Sequence, residues 1–251
     1  MLETLILHII IDLVAIISIY FIIVEYVKKV IERQKKHNDF QQIKYDEIMK
    51  QIETYYMLSK LDKSCFLGVG GGGSNVIEDI SQLDHRHKFI HINSDEQALE
   101  QKTSQYKIVL GRDKNNGLGC GGDPICGEKL VDGYFKSSLY NLIKDEKKIY
   151  VVSSLGGGVG SGVTPKLLSY LKILKKEIVF VAIIPFKFEG QKRVKLAHNI
   201  LEEIEKIVDS IIIIQNDNFL KDDANKNEGV KKVFSSISTF IYHSIVDEIG
   251  Y

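Results

Sequence analysis

The chain has 251 residues, 44% of them apolar and 26% charged, the composition of a folded protein with one well-filled core and an appendage. Its 33 basic residues balance 33 acidic ones and no basic stretch lies in the globular part, so the footprint of nucleic-acid binding is missing and DNA and RNA are excluded as partners. The three cysteines, Cys65, Cys120 and Cys126, are odd in number and lack CxxC spacing or neighbouring histidines. They predict reduced thiols in a reducing compartment, with neither a disulfide framework nor a metal centre, and the scattered histidines, such as His91 and His243, read as structural.

From the amino terminus, Leu5–Val24 is an almost unbroken apolar run, interrupted by His8, Asp12, Ser18 and Tyr20, and about the length a helix needs to cross a bilayer. Lys28, Lys29, Arg33, Lys35 and Lys36 follow it, and only Glu3 and the amino terminus precede it. That asymmetry predicts a single-pass signal anchor over residues 1–26 in the cytoplasmic membrane, with the rest of the chain in the cytoplasm. Asp12 is either a contact with a partner helix or a tolerated off-centre charge. From Glu25 to Leu61 the chain is charged and free of Gly and Pro, with Tyr45, Ile48, Ile52 and Tyr55 at helical spacing. The spacing predicts a helical linker over residues 27–62 whose apolar stripe packs on the globular domain or pairs with a second copy.

Residues 63–251 alternate short β-rich runs with amphipathic helices, the signature of a three-layer α/β domain with a doubly wound parallel sheet. Strands are expected at Cys65–Val69, Lys88–Asn93, Tyr106–Leu110, Lys148–Ser153, Ile178–Ile184 and Ser210–Gln215. The first runs into Gly70, Gly71, Gly72, Gly73 and Ser74, with a helix from about Asn75. Free N–H groups and the helix dipole make such a junction an anion site, and four consecutive glycines exceed what a tight turn needs. Gly68, Gly70 and Gly73 also spell GxGxxG, and Asp95 stands where a dinucleotide fold keeps its ribose-binding acid, so an NAD-dependent oxidoreductase is a rival. A second glycine-rich loop, Ser154–Gly162, follows the fourth strand and opens a helix with Pro165 expected in its first turn. Two phosphate cradles suit a nucleotide gripped from both sides, whereas a dinucleotide fold needs one.

Over about Phe66 to Leu220 these segments resemble, in order, those of the FtsZ/tubulin family. GVGGGGSN at Gly68–Asn75 is similar to the family's opening glycine loop and GGGVGSG at Gly156–Gly162 to its signature loop. NSDEQAL at Asn93–Leu99, GLGCGGDPICG at Gly117–Gly127, PFKFEGQKR at Pro185–Arg193 and QNDNFL at Gln215–Leu220 are similar to further family segments. The resemblance implies a GTP/GDP site with Gly71, Gly72, Gly73, Ser74 and Asn75 on one side. Gly157, Gly158, Val159, Gly160 and Ser161 would hold phosphates from the other, and the loop Gly119–Asp123, with Gly119, Gly121 and Gly122, would close over the terminal phosphate. Asp95 would lie near the phosphates or a magnesium ion, which takes carboxylate oxygen and keeps most of its waters; alternatively it caps the helix starting at Glu96. Glu189 and Arg193 match positions that touch ribose and base, and Asn216 matches a base-contacting Asn. By spacing alone the first two read as a surface i, i+4 pair.

Three departures from the family pattern stand out. Val159 replaces a Thr, Asp123 replaces an Asn, and Ser238 and Thr239 stand where the family sets an Asn-Asp pair against the base. Thr239 keeps the base-side position in this reading. The chain stops at Tyr251, about where the family's central helix ends and before its synergy loop and second domain. The expectation is half an active site, able to bind nucleotide and to receive an activating loop from an FtsZ-like partner or a second copy, with no catalytic residue of its own. The resemblance implies nucleotide-dependent assembly in cell division or membrane remodelling with weak or partner-dependent hydrolysis. The alternative is a non-hydrolysing module that docks on or caps an intact family member. On the last helix, about Gly229–Glu248, Val233, Ile237, Phe240, Ile241, Ile245 and Ile249 either bury against the domain's own sheet or form a partner surface.

Overall fold

The computed structural model describes residues 22–26, 29, 64–112, 117–220 and 229–249. The chain divides into two units, Met1–Ser59 and Lys60–Tyr251. The expected anchor and linker lie almost wholly outside the described residues; of them, 22–26 are helical, with Ile22 and Ile23 exposed. Among the described residues no helix is long and apolar enough to cross a membrane.

The second unit runs β1 (Cys65–Val69), α1 (Gly70–Leu83), β2 (Lys88–Asn93), α2 (Glu96–Glu100), β3 (Tyr106–Val109), α3 (Pro124–Lys129), α4 (Gly133–Ile143), β4 (Lys148–Ser154), α5 (Gly158–Ile173) and β5 (Glu177–Ile184). A 3-10 turn at Lys187–Glu189, α6 (Gln191–Ile204), β6 (Ser210–Gln215), α7 (Asn216–Phe219) and α8 (Gly229–Ile249) complete it. All six strands are parallel, in the order β3-β2-β1-β4-β5-β6. All five residues of β1 are buried because it is a central strand covered on both faces, which is why CFLGV reads as a continuous run and not an alternating one.

One face of the sheet, with Cys65, Leu67, Val69, Val151 and Phe180, packs on Leu139 of α4, Leu167 and Leu171 of α5 and Leu201 of α6. On the other face Phe66 stacks between Phe89 and Tyr150 at 5.2 and 5.0 Å, under α1. Gly68 lets α1 come that close: a Cβ there would lie 2.7 Å from Ile77 and 2.8 Å from the Gly73 carbonyl oxygen. Helix α8 lies on α1 and α7, burying Val233, Ile237, Ile241 and Ile245, each a contribution of about 1.5–3 kcal/mol, so these residues of its apolar stripe are spent within the domain. Phe240 stays half exposed and meets Phe219 edge-on at 5.4 Å.

Polar bonds fix the register of α8 on α1. Ser238 Oγ donates to Asp79 Oδ2 at 2.8 Å, and Tyr242 donates to Asp84 Oδ2 at 3.0 Å. Burial works to raise the Asp84 pKa. Hydrogen bonds from the Arg86 side chain and backbone, the neighbouring His87 and the Tyr242 hydroxyl outweigh it and hold the carboxyl down at about 2.

Two sequence expectations are corrected here. Helix α1 begins at Gly70, not Asn75, because the glycines themselves form its first turn. Helix α5 likewise begins at Gly158, which leaves Pro165 inside the helix and not in its first turn. In both cases glycine was read as loop, but with no side chain to clash it follows whatever backbone the packing imposes.

Candidate functional site

In an open parallel sheet, ligands bind beyond the carboxyl ends of the strands at the point where connections diverge to opposite sides. Here that point falls between β1 and β4, and a cavity of about 1100 Å³ opens there. Helices α1 and α5 both start at its floor. Their N-caps, Val69 and Gly157, make no side-chain capping bond, so the first N–H groups of both helices are left for a ligand, with two positive dipole ends beside them.

The predicted loop residues divide by role. Gly71 lines the cavity with nothing within 4 Å of a notional Cβ, and Gly157 does the same on the opposite side. Gly72 lines the cavity too, but its Cβ position is 2.4 Å from Ser154 Cβ. Gly73 faces away, where a Cβ would fall 2.3 Å from the Val152 carbonyl oxygen, and lets α1 sit on β4. Ser74 is buried and donates to the Gly68 carbonyl oxygen, while Asn75 lines the cavity and accepts from Lys102 Nζ. Gly158, Val159 and Gly160 line the opposite wall, and Gly160 approaches Ser154 so closely that a Cβ would sit 2.0 Å from its carbonyl oxygen. Ser161 does not reach the cavity; its Oγ accepts from Gly156 N–H at 2.8 Å and braces the turn.

Over these floors lies the loop Gly119–Asp123. Gly119, Gly121 and Gly122 line the cavity in the left-handed region, at φ of 81°, 55° and 86°, where residues with a side chain are strained. Asp123 does not line the cavity. It caps α3, its Oδ1 accepting from Ile125 N–H at 3.0 Å, which gives its carboxylate a local structural task. Cys120 and Cys126 are joined as a disulfide with Cα atoms 5.6 Å apart, against the expectation of reduced thiols. Spacing could not reveal the pairing, because the turn at Gly121–Gly122 brings together residues six apart. Cys65 remains a free, buried thiol.

Asp95 does both things its position allows. Its Oδ1 caps α2 by accepting from Ala98 N–H at 2.9 Å, and the residue lines the cavity wall beneath the glycine loop. At the far end Glu189 and Arg193 form an ion pair at 2.9 Å and both line the cavity. The other Glu189 oxygen accepts from Phe186 N–H at 3.0 Å, which aims the carboxylate. Asn216, 2% exposed at the start of α7, lines the same end, and its Oδ1 has no hydrogen-bond partner. A buried polar atom in that condition costs free energy unless a ligand satisfies it. Thr239 does not line the cavity. The register of α8 turns Ser238 there instead, together with Phe234, Ser235 and Ile237.

Sequence reasoning missed Phe234, part of an aromatic wall in which it meets Phe186 edge-on at 5.6 Å while Phe186 stacks on Phe188 at 4.8 Å. Its position four residues before Ser238, one helical turn away, was the available signal. Also missed were the lining carboxylates Glu78 and Asp79. Each acid at the cavity has at least one hydrogen bond: Glu78 Oε1 accepts from Thr103 N–H at 2.9 Å while its buried Oε2 has no hydrogen bond, Asp79 accepts from Ser238, Asp95 from Ala98 and Glu189 from Phe186 and Arg193. Among the described residues no group of three or more His, Cys, Asp or Glu side chains converges to hold a metal by itself.

A doubly wound sheet that turns two uncapped, glycine-rich helix N-termini into one cavity is a nucleoside-phosphate-binding α/β domain. Residues 63–223 match the Tubulin/FtsZ family, GTPase domain, and the chain belongs to that family. It is 35% identical over 191 residues to the cell division protein FtsZ of Helicobacter pylori, covering 71% of this chain and 49% of that one. It is 36% identical over 169 residues to the mitochondrial division protein fszB of Dictyostelium discoideum, covering 66% and 45% respectively. The chain thus spans about half the length of the curated relatives it matches. Among solved structures, an empty FtsZ dimer of M. jannaschii superposes with a TM-score of 0.67 at 26% identity, covering 80% of this chain and 58% of that one.

Proposed function

We propose that this domain binds GTP and GDP in the crevice beyond β1 and β4, and that nucleotide state controls its assembly in division or membrane remodelling. The observation that carries the reading is the pairing of two uncapped helix N-termini at one end of the cavity with the buried, unpartnered Asn216 Oδ1 at the other. Phosphates belong at the N-termini of α1 and α5, between Gly71 and Gly158, with the glycine loop at Gly119–Gly122 above them. Glu189 and Arg193 take the ribose end. The base lies by Phe234, where Asn216 supplies the amide that reads its edge. A magnesium ion would be held by Asp95 together with the phosphates, where it would supply positive charge against them. The oxidoreductase rival shares this strand order, so topology does not separate the two; the second phosphate loop and the family match favour the nucleoside triphosphate.

Hydrolysis in this reading depends on a partner. Phosphoryl transfer needs a positioned water, and Asp95, Asp79 and Glu189 are held in structural roles, capping α2, bonding Ser238 of α8 and pairing with Arg193. An acid supplied by a second copy or by an intact family member would complete the site. The alternative, a non-hydrolysing module that docks on such a partner, is favoured by Val159, which lines the cavity and has no hydroxyl to offer a phosphate. The reading also places residues 1–26 as an anchor that holds the domain at the cytoplasmic face of a membrane, supported by the Leu5–Val24 run and the basic residues after it.

Equilibrium binding of GTP, GDP, ATP and NAD to the full chain in detergent, with and without magnesium, tests the core of the proposal. GTP and GDP are expected to bind and NAD is not; absence of guanine-nucleotide binding sinks the reading. Turnover measured against protein concentration, and with added FtsZ, separates partner-dependent hydrolysis from none. Resistance of the vesicle-bound chain to alkaline carbonate extraction tests the anchor.

A further inference from the structure

The disulfide joins two parts of the site that are held in different ways. Cys126 lies on α3, which is seated on α5 by contacts only glycine permits: a Cβ at Gly127 would lie 2.4 Å from the Gly158 carbonyl oxygen, and one at Gly162 would lie 2.0 Å from that of Pro124. Cys126 is therefore fixed to the helix that carries the second phosphate loop. Cys120 sits on the loop over the phosphate end, lines the cavity, and lies 3.0 Å from where a Gly158 Cβ would be. Its neighbours Gly119, Gly121 and Gly122 are all in the left-handed region, and nothing lies within 4 Å of a Cβ built on Gly121 or Gly122. Those glycines carry the largest backbone freedom in the unbridged loop, so a cross-link removes more conformational freedom here than in a stiffer segment. Among the described residues, backbone bonds tie the loop mainly at its ends: Glu96 N–H to the Gly117 carbonyl at 3.1 Å, Gly119 N–H to that of Ser94 at 3.2 Å and the Asp95–Leu118 bridge on one side, and Asp123 N–H to the Cys120 carbonyl at 2.9 Å and Gly127 N–H to that of Asp123 at 3.3 Å on the other.

We propose that Cys120 and Cys126 are a redox modification site, and that oxidation locks the Gly119–Asp123 loop over the phosphate end of the cavity so that bound nucleotide leaves more slowly. The proposal rests on the nucleotide reading of that cavity. The 5.6 Å Cα separation lies within the range a disulfide accepts, and both residues are only half buried, so a small oxidant can reach them. The chemistry is thiol–disulfide exchange with a low-molecular-weight disulfide of the glutathione class. One cysteine thiolate attacks the oxidant's disulfide and releases a first thiol; the second cysteine then attacks the mixed disulfide and releases the other. The protein thiols lose two electrons and two protons to the two thiols set free. Cys65 is excluded from this chemistry, since it is fully buried in β1 and burial pushes its thiol up to about 12.

The full chain is equilibrated in glutathione buffers of graded redox poise, alkylated and analysed by mass, and release of a fluorescent GTP analogue is timed in each state. The Cys120–Cys126 bond is expected to form and break reversibly while Cys65 stays a thiol. Oxidised protein is expected to release nucleotide roughly tenfold more slowly than reduced protein. Cys126→Ser protein, in either buffer, is expected to release it as reduced wild type does. Free thiols across the whole range, or a bond that forms without slowing release, overturn the proposal and leave the nucleotide reading standing. Failure of both redox states to retain any guanine nucleotide overturns the nucleotide reading, and this inference with it.

Discussion

Gly162→Ala separates the packing argument from simple helix propensity. Gly162 is in the second turn of α5 and does not line the cavity. In an open helix, alanine in place of glycine would stabilise the protein by about 1 kcal/mol. Here the new Cβ would stand 2.0 Å from the Pro124 carbonyl oxygen and 2.7 Å from the Glu128 nitrogen, both backbone atoms of α3. To reach an ordinary contact the two helices must separate by about 1 Å or more, and overpacking of this kind costs typically 1–3 kcal/mol. A clash with two backbone atoms takes the upper end of that range, about 3 kcal/mol, which the roughly 1 kcal/mol gained from alanine reduces to a net destabilisation of about 2 kcal/mol, read as a lower urea midpoint at unchanged slope. Displacing α3 also drags the loop ending at Asp123, so GTP affinity is expected to fall about tenfold or more although no ligand-facing atom has changed. A Gly162→Ala protein as stable as wild type, or more stable, would refute the close approach of α3 and α5 and the role given to it.

Other predictions rest on separate parts of the structure. His91 is fully buried in β2, and burial lowers its pKa from 6.5 to about 4, Glu78 opposing that shift only in part. Because the unfolded chain takes up this proton first as pH falls, stability is complete above about 6.5 and declines toward about 4, by roughly 3 kcal/mol in all. His91→Leu is expected to flatten that slope in urea titrations, and an unchanged slope would reassign it to other groups. Asn216→Leu is expected to weaken GTP binding by about tenfold or more while leaving the far-ultraviolet circular dichroism unchanged, since it removes the unpaired buried amide that a ligand would satisfy. Tyr242→Phe deletes the hydroxyl that bonds the Asp84 carboxylate, and a loss of about 1.5–3 kcal/mol in chemical unfolding is expected.

The central strands were legible because burial on both faces leaves a largely continuous apolar run; β1 and β2 begin and end at the residues expected, as does the edge strand β6, whose isoleucine run is only partly buried. The functional loops were legible for the same kind of reason. Four glycines after a strand, and a second glycine cluster after another, are local signals with few other uses. Helix starts were not, because glycine gives no local sign of helix, and the glycines that open α1 and α5 are seated by close approach to β4 and α3, as at Gly73 against Val152 and Gly162 against Pro124. Glu189 and Arg193 looked like a surface pair by spacing, and only the Phe186 N–H bond and the cavity wall show what the carboxylate faces.

By itself, the order of residues determined the parallel α/β class, the positions of the two glycine-rich loops, the family and the place of Asp95, all of which depend on neighbours within a few positions of one another. Tertiary structure decided what depends on contacts between distant segments. It turned Ser238 and not Thr239 toward the cavity, laid the apolar stripe of α8 on α1, and tied every lining carboxylate to a donor. It also closed Cys120 on Cys126 through a turn whose left-handed glycines place them side by side. Periodicity reports which face of an element is apolar; only the packed fold decides what that face meets.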